Sequence, residues 1–382
     1  MKKLNYKRIV FPTVILAIIA AIFTSLYLYA HEEEEIVQND SYVVYDKGIV
    51  KQILSDTSEQ DPKEENAYRG QQQLIVEVTS GENAGKTMLV DNLIGVHTDY
   101  EPLSVGDEVV LNISNNSDGS QRATVYEFDR EPIIYAILLL FILTTILVGG
   151  KTGAKSVLGL ILTIAVLFLL LLPLLSKAWD PIMTAFFLCS LIAVACFVIL
   201  GGCTKKVLCA CIGTIAGMAI AMLFGILAQK LLRVDGYQAE FAEALKNENL
   251  LELKYKIRGL LVAGVIISAL GAVMDVAMSI SSALHEVKSL NPQLKTKELW
   301  KSGMNIGRDM VGTMTNTLIL AILGSSLMMI LYLHSMSVEW NKLMSSSFLA
   351  IEIVSSVASA IGVILAVPLT TLCCALIYGK QK

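Results

Sequence analysis

The residues that could do chemistry in this chain are few, and Asp275 leads them. It lies in the run GAVMDVAMSISS, Gly271 to Ser282, inside a stretch that is otherwise apolar. Gly264, Ser268, Gly271, Asp275, Ser279, Ser282 and Glu286 follow one another at steps of 4, 3, 4, 4, 3 and 4. On an α-helix such steps keep to one face, so the spacing predicts a continuous small and polar stripe. The other faces of that helix carry Leu, Ile, Val and Met. A carboxylate near the membrane interior costs at least ~2.5 kcal/mol on insertion scales. Asp275 lies about eight residues from the inner end of its apolar run, so roughly 12 Å deep. It must be paired, protonated, or in contact with water or a cation. The chemistry on offer is therefore the binding of a proton or cation.

Partners come from the following run, SGMNIGRDMVGTMTNTL, residues 302–318. Asn305, Asp309, Gly312 and Asn316 fall on one helical face at steps of 4, 3 and 4. Asn316 is expected about as deep as Asp275. Arg308 is expected at the inner edge, where it could pair with Glu286 or reach toward Asp275. A second intramembrane acid, Glu352, precedes Ser355, Ser356 and Ser359. It could serve an outer site or extend to the outer interface. The stripe has a plainer reading too. Gly264, Ser268, Gly271 and Gly312 would let helices approach closely, with serines bonding across. That accounts for the small residues and leaves Asp275 unexplained, so a structural hydrogen-bonded role and contact with an ion, proton or substrate both stay open.

These residues need membrane helices to position them. The chain has 382 residues, of which 54% are apolar and 17% charged; soluble domains carry about 25% charged residues. Its net charge of −4 and the lack of a basic patch give no sign of a nucleic-acid partner. Hydropathy predicts about eight spans, near 9–30, 133–149, 156–175, 181–201, 207–232, 259–283, 310–333 and 347–378. Each reaches the ~17–20 residues that cross ~30 Å of hydrocarbon. Pro368 is expected to kink the last. Lys2, Lys3, Lys7 and Arg8 place the N-terminus inside. Eight crossings then put Lys151, Lys155, Lys205, Lys206, the 284–309 loop and Lys380 inside as well; Lys254, Lys256 and Arg258 are the exception. Residues 1–30 read as an uncleaved anchor, because the apolar run exceeds the ~7–15 residues of a signal-peptide core.

Residues 31–131 are the long polar section and are expected outside. An acidic linker, HEEEE, leads into five strand-like runs at 42–50, 73–80, 86–92, 107–114 and 122–129, bounded by Gly, Asn and Asp turns. They predict a small OB-like barrel, with residues 55–70 as a loop. Residues 233–258 read as an external amphipathic helix, and Asn291-Pro292 as a cytoplasmic helix start.

Three near-motifs mislead. SGENAGKT (80–87) has Ser80 where a phosphate-binding loop has glycine, and it joins two strands. HEVKS (285–289) has Ser289 in place of the second histidine of H-E-x-x-H. Cys203, Cys209 and Cys211 match no standard zinc spacing. No metal, cofactor or enzymatic activity is expected, and the seven cysteines, all in or beside spans, read as small apolar packing.

GAVMDVAMSISSALHEV, then Asn291-Pro292, then SGMNIGRDMVGTMTNTLILAILGSSL, resembles the YibE/F-like family of bacterial multi-spanning membrane proteins. The likeness covers most of the chain, from the external β domain through the last span, and is most specific over 264–328, with Asp275, Arg308 and Asn316 as the matching polar positions. It implies a permease or exporter in the bacterial plasma membrane. The expectation is thus a polytopic α-helical bundle with an inserted all-β domain: anchor 1–30, β domain 31–131, seven-helix domain 132–382. Its partners would be the bilayer, a proton or cation, a small substrate or an extracytoplasmic partner, and a further copy of itself. The rival function is an envelope scaffold or stress module whose β domain binds a partner.

Overall fold

The computed structural model describes residues 6–30, 43–60, 68–95, 101–115, 121–234, 236–237, 256–336 and 338–379. The chain forms two units, one of residues 33–144 and one of residues 1–32 with 145–382.

The first unit is built on strands β1 (Val43–Asp56), β2 (Glu59–Gln60), β3 (Tyr68–Val78), β4 (Thr87–Ile94), β5 (Glu108–Asn115) and β6 (Gln121–Phe128). The order is β1-β5-β6-β4-β3, and β1 pairs again with β3, so five strands close into a barrel with β2 added at β3. All pairs are antiparallel except β4 with β6. Period-2 alternation drives the closure. Leu74, Val76 and Val78 point inward with Val50, Val90, Val109, Leu111 and Ile113, all nearly or fully buried. β1 serves two neighbours because register shifts after Val50 and Ile53 bend it, as bulges do. At that corner a Cβ on Gly48 would come within 2.5 Å of Val76 Cγ1.

The five expected strands are all present, the first two longer than expected. SGENAGKT is the turn between β3 and β4. Gly81 there has φ +73°, and a Cβ would strike the carboxylate of buried Asp46 at 1.9 Å. Of the predicted 55–70 loop, 61–67 lie outside the described residues, as do the acidic linker and residues 238–255 of the predicted external helix.

The end of β6 is tied back to β1. Lys47 Nζ bonds Asp129 Oδ2 at 2.8 Å and also the Glu131 carboxylate. Asp129 Oδ1 accepts from the Glu131 N–H at 3.0 Å, capping the helix that follows. The Lys47 hydrogen bond holds the buried Asp129 carboxyl below the usual carboxylate range, outweighing the opposing effect of burial. A depressed carboxylate contributes stability above its unfolded pKa and loses it as pH falls through the folded value. Lys47→Met is therefore expected to speed hydrogen exchange of residues 43–128 in the full-length protein at pH 7. It should also flatten the acid destabilisation that the parent shows below about pH 4.

The helical elements are α1 (Tyr6–Ala30), α2 (Glu131–Val166), α3 (Leu172–Ser176), α4 (Pro181–Gly201), α5 (Lys205–Leu232), α6 (Leu260–Leu290), α7 (Thr296–Ser325), α8 (Leu327–Ser335), α9 (Trp340–Met344) and α10 (Ser347–Gly379). A π-helical turn, Leu167–Leu171, joins α2 to α3 just before Pro173. In the second unit α5, α6 and α10 pack together at the centre, α4 lies against α5 and α6, and α7 lies against α6 and α10.

Against the eight predicted spans, five helices are long and apolar enough to cross a membrane, or six if the bent pair α7–α8 is one span. The differences lie in three places. The predicted spans 133–149 and 156–175 are one run, Glu131–Ser176. That run is broken at Gly150 (φ 55°, ψ −134°), where the chain turns so sharply that a Cβ on Gly153 would be 2.2 Å from the Thr145 carbonyl. In α1 the apolar stretch Thr13–Tyr29 is short. Predicted span 7 bends by 59° between α7 and α8. Pro368 is accommodated within α10 as one continuous element.

The predicted cytoplasmic loop 284–309 is mostly helix. α6 runs to Leu290 and α7 starts at Thr296, so Asn291-Pro292 forms the turn and not the helix start. Lys288 Nζ pins that turn by bonding the Pro292 and Leu294 carbonyls, each at 2.8 Å. Glu298 Oε2 accepts from the Lys295 N–H at 2.7 Å. This is half of a capping box, and it sets the start of α7.

Candidate functional site

The predicted stripe exists as one face of α6, and it faces away from the packed core. Val262, Val265, Ile266, Ala269, Val273, Val276, Ile280 and Leu284 are buried. Gly264, Ser268, Gly271, Asp275, Ser279 and Glu286 are exposed, with Ser282 half-buried. A helix buries the side on which its apolar residues cluster, so the stripe is what remains. Asp275 makes no hydrogen bond or ion pair among the described residues. Of the stripe, Ser268 touches a neighbour through its side chain: Ser359 Oγ on α10 lies 3.4 Å from Ser268 Oγ.

α7 is arranged in the same way. Its buried positions are Leu299, Gly303 and Gly307, and Met304, Met310, Val311, Met314 and Leu318 pack beside them. Asn305, Arg308, Asp309, Gly312 and Asn316 are exposed on the other side. Among the described residues Arg308 forms neither of the two contacts open to it, with Glu286 or with Asp275.

The register between the two helices follows from their tight contacts. A Cβ on Gly303 would meet Leu284 Cδ1 at 2.8 Å, and one on Gly307 would meet Ile280 Cδ1 at 3.5 Å. Four residues back along α6 match four forward along α7. Continued, that register sets Ser279 level with Arg308, Asp275 with Gly312 and Gly271 with Asn316. Asn316 thus lies one turn, about 6 Å, farther from the α6–α7 turn than Asp275, which corrects the expected shared depth. Among the described residues Ser359 on α10 makes polar contact with α6 at Ser268 and the Val265 carbonyl, and Asp275, Arg308 and Asn316 do not join it, because their sides of α6 and α7 point outward.

The glycines are corrected as well. A Cβ on Gly264, Gly271 or Gly312 would meet nothing within 4 Å, so these do not mediate close approach within the chain. That role falls to Gly213, Gly217, Gly303, Gly307 and Gly362, at the α5, α6, α7 and α10 crossings.

Glu352 is separate. Ser359 on α10 lies against Ser268, and Asp275 is seven residues beyond Ser268, so it is level with about residue 366. Glu352 then lies about fourteen residues, roughly 20 Å, from it along the bundle. It lines an apolar cavity of about 160 Å³ with Ile322, Ser326, Met329, Phe348 and Ser356. Ser326 is the residue at which α7 breaks into α8. Glu352 makes no side-chain hydrogen bond among the described residues.

Sequence reasoning missed a buried polar line where α5 meets α10. Thr214, Thr370, Thr371 and Tyr378 are at most 2% exposed; the three threonine hydroxyls find no hydrogen-bond partner among the described residues, and the Tyr378 hydroxyl lies beside Ser281 and Cys209. Cys209 lies against both Cys373 and Cys374. Ser281 donates to the Lys206 carbonyl at 2.6 Å, and His285 lies against the Tyr378 ring at 5.7 Å. The available signal was Thr370-Thr371 and Cys373-Cys374 within one apolar helix. Such pairs read as small packing residues until the facing helix is known. All seven cysteines are free thiols.

In the first unit, Asn92, Leu93, Pro102, Tyr126, Phe128 and Arg130 are among the residues lining a cleft of about 390 Å³. Tyr126 also stacks edge-on with Tyr45 at 5.0 Å on the barrel surface.

Exposed leucines and valines along the long helices, up to 80% at Leu147 and 91% at Val148, exceed what a water-soluble surface carries. Together with the five or six helices long and apolar enough to span a bilayer, they mark the class: a helical membrane protein that bears a β-barrel domain. Residues 137–380 match the family model of the YibE/F-like proteins, and the chain belongs to that family. The match runs from within α2 through α10 and leaves α1 and the barrel outside it, so the barrel, contrary to expectation, is not part of the likeness. Neither the curated proteins nor the solved structures offer a match.

Proposed function

We propose that the chain is a transporter or permease of the bacterial plasma membrane, with a translocation path along α6, α7 and α10. One observation carries this reading: Asp275, in an otherwise apolar helix, has its carboxylate turned off the packed core and makes no bond among the described residues. An acid placed this way is costly in lipid and suits a transient proton or cation ligand. Glu352, beside the α7–α8 break, supplies an outer site. Broken helices at the membrane midplane are a common device for ion and substrate binding in transporters. In this reading the break at Gly150 separates two spans, α1 is a further span and α7–α8 is one. That makes eight crossings with both termini cytoplasmic and the barrel outside. Flux across proteoliposomes, in parent and Asp275→Asn protein, tests it.

A second reading makes the barrel the working part and the helices its anchor. The closed five-strand barrel, with β1 and β3 closing it and β4 parallel to β6, is compatible with the expected OB-like domain. Such barrels bind ligands on their faces and loops. Tyr126, 56% exposed at the 390 Å³ cleft, favours this reading. Under it, Tyr126→Asp in the full-length protein abolishes crosslinking to an envelope partner and leaves the bundle unchanged. Tyr126→Asp protein that keeps every crosslink of the parent counts against it.

A further inference from the structure

The hydrocarbon core of a bilayer offers no hydrogen bonds, so polar groups that face out of a membrane bundle need a cover. On α6 the uncovered face holds Gly264, Gly271, Asp275 and Ser279; on α7 it holds Arg308 and Gly312. Neither Asp275 nor Arg308 has a partner among the described residues, and the three glycines border open space.

We propose that this face is covered by the same face of a second copy of the chain, the two related by a two-fold axis along the membrane normal. The inference rests on reading α6 and α7 as the translocation path, which would then be completed between two copies. Three features select a second copy as the occupant. The face carries both charges, so one patch can satisfy itself, as an isologous contact requires. The register brings the charges within reach. About a two-fold axis along the normal, equal depths oppose each other. Arg308, level with Ser279, therefore lies about one turn, 6 Å, from the depth of the partner's Asp275. An extended arginine side chain spans that offset. Last, Gly264, Gly271 and Gly312 give the backbone-to-backbone clearance that close membrane helix pairs use. The chain's own packing leaves that clearance unused. Lipid would fill the space and leave both charges unpaired.

The test is a photo-crosslinking amino acid at Ser279 of the full-length protein in its native membrane, with Leu227 on α5 as an exposed apolar control. The expected product at Ser279 is a covalent homodimer, absent at Leu227. Arg308→Glu should lower dimer yield at least about tenfold, since it sets like charges against each other. Asp275→Arg combined with Arg308→Glu should restore it. Crosslinking at Ser279 to lipid alone, or to an unrelated protein, would overturn the proposal. The Ser279 experiment in otherwise unaltered protein stands even if the charge variants fail to fold. Flux separates the two ideas. A crosslinked dimer without flux sinks the transport reading alone, and flux from protein that crosslinks only to lipid sinks the dimer alone.

Discussion

Protein carrying Asp275→Asn is expected to fold at least as well as the parent and to lose its flux across proteoliposomes. The two outcomes have one cause. The carboxylate lies on the exposed face of α6 and makes no bond among the described residues, so the folded protein bears its full desolvation cost. In detergent-dispersed monomer, with no second copy to pair it, removing the charge should raise the unfolding midpoint, with a gain on the order of 2 kcal/mol; in the paired state the same change removes the partner of Arg308 and should lower the dimer yield. Asparagine keeps the shape and a hydrogen-bonding oxygen and gives up the ability to take and release a proton or hold a cation. An acid kept for structure behaves in the opposite way. Its loss costs about 1–3 kcal/mol because partners are left unsatisfied, and flux persists wherever the fold does. A destabilised but fully active Asp275→Asn protein would therefore sink the role given to Asp275 in transport.

The largest stability effect is expected from Gly217→Leu on α5. A Cβ there would lie 2.8 Å from Val273 Cγ1 on α6 and, on α10, 2.9 Å from Ala366 Cβ and 3.1 Å from the Gly362 carbonyl oxygen. Gly362 answers in kind, its own Cβ position falling 2.8 Å from Ala221 Cβ and 3.1 Å from the Gly217 oxygen. Side chains can turn away from an intruder; a carbonyl held in a helix cannot. Overpacking typically costs about 1–3 kcal/mol, and a clash with two neighbouring helices at the bundle centre belongs at the top of that range or beyond. Gly217→Leu should yield little monodisperse protein on size-exclusion chromatography. Gly271→Leu is the matched control. It adds the same side chain beside open space and should change the fold's stability by no more than about 0.5 kcal/mol. On the pairing proposed above, it should still lower the crosslinked dimer. Equal behaviour of the two glycine variants in fold stability would show that the α5–α10 crossing is not the tight contact described.

The strand runs of the barrel and the small, polar face of α6 are legible in the amino-acid sequence, because each is a periodic feature of consecutive residues. The family likeness over 264–328 rests on the same local blocks. The features that sequence reasoning misplaces all involve a neighbour. Spacing along the chain sets Asn316 at the depth of Asp275, but the Leu284–Gly303 and Ile280–Gly307 contacts move it by one turn. Composition casts Gly264, Gly271 and Gly312 as close-packing residues, while the crossings use Gly217, Gly307 and Gly362. Nothing in a glycine's own neighbourhood along the chain states which helix will face it. The Asn291-Pro292 start fails differently. The capping interaction that wins, Glu298 on the Lys295 N–H, lies three residues farther on and allows both helices to extend into the expected loop.

Which residues share a face follows from the sequence alone, since the period of a helix or strand belongs to consecutive residues and needs no partner. That is enough to put Asp275 on a polar stripe. Where the stripe points is a matter of tertiary packing. Burial goes to the faces that find the most complementary apolar surface, and those surfaces on α5, α7 and α10 are distant in the chain. Once they claim Val273, Ile280 and Leu284, Asp275 is left facing out of the bundle.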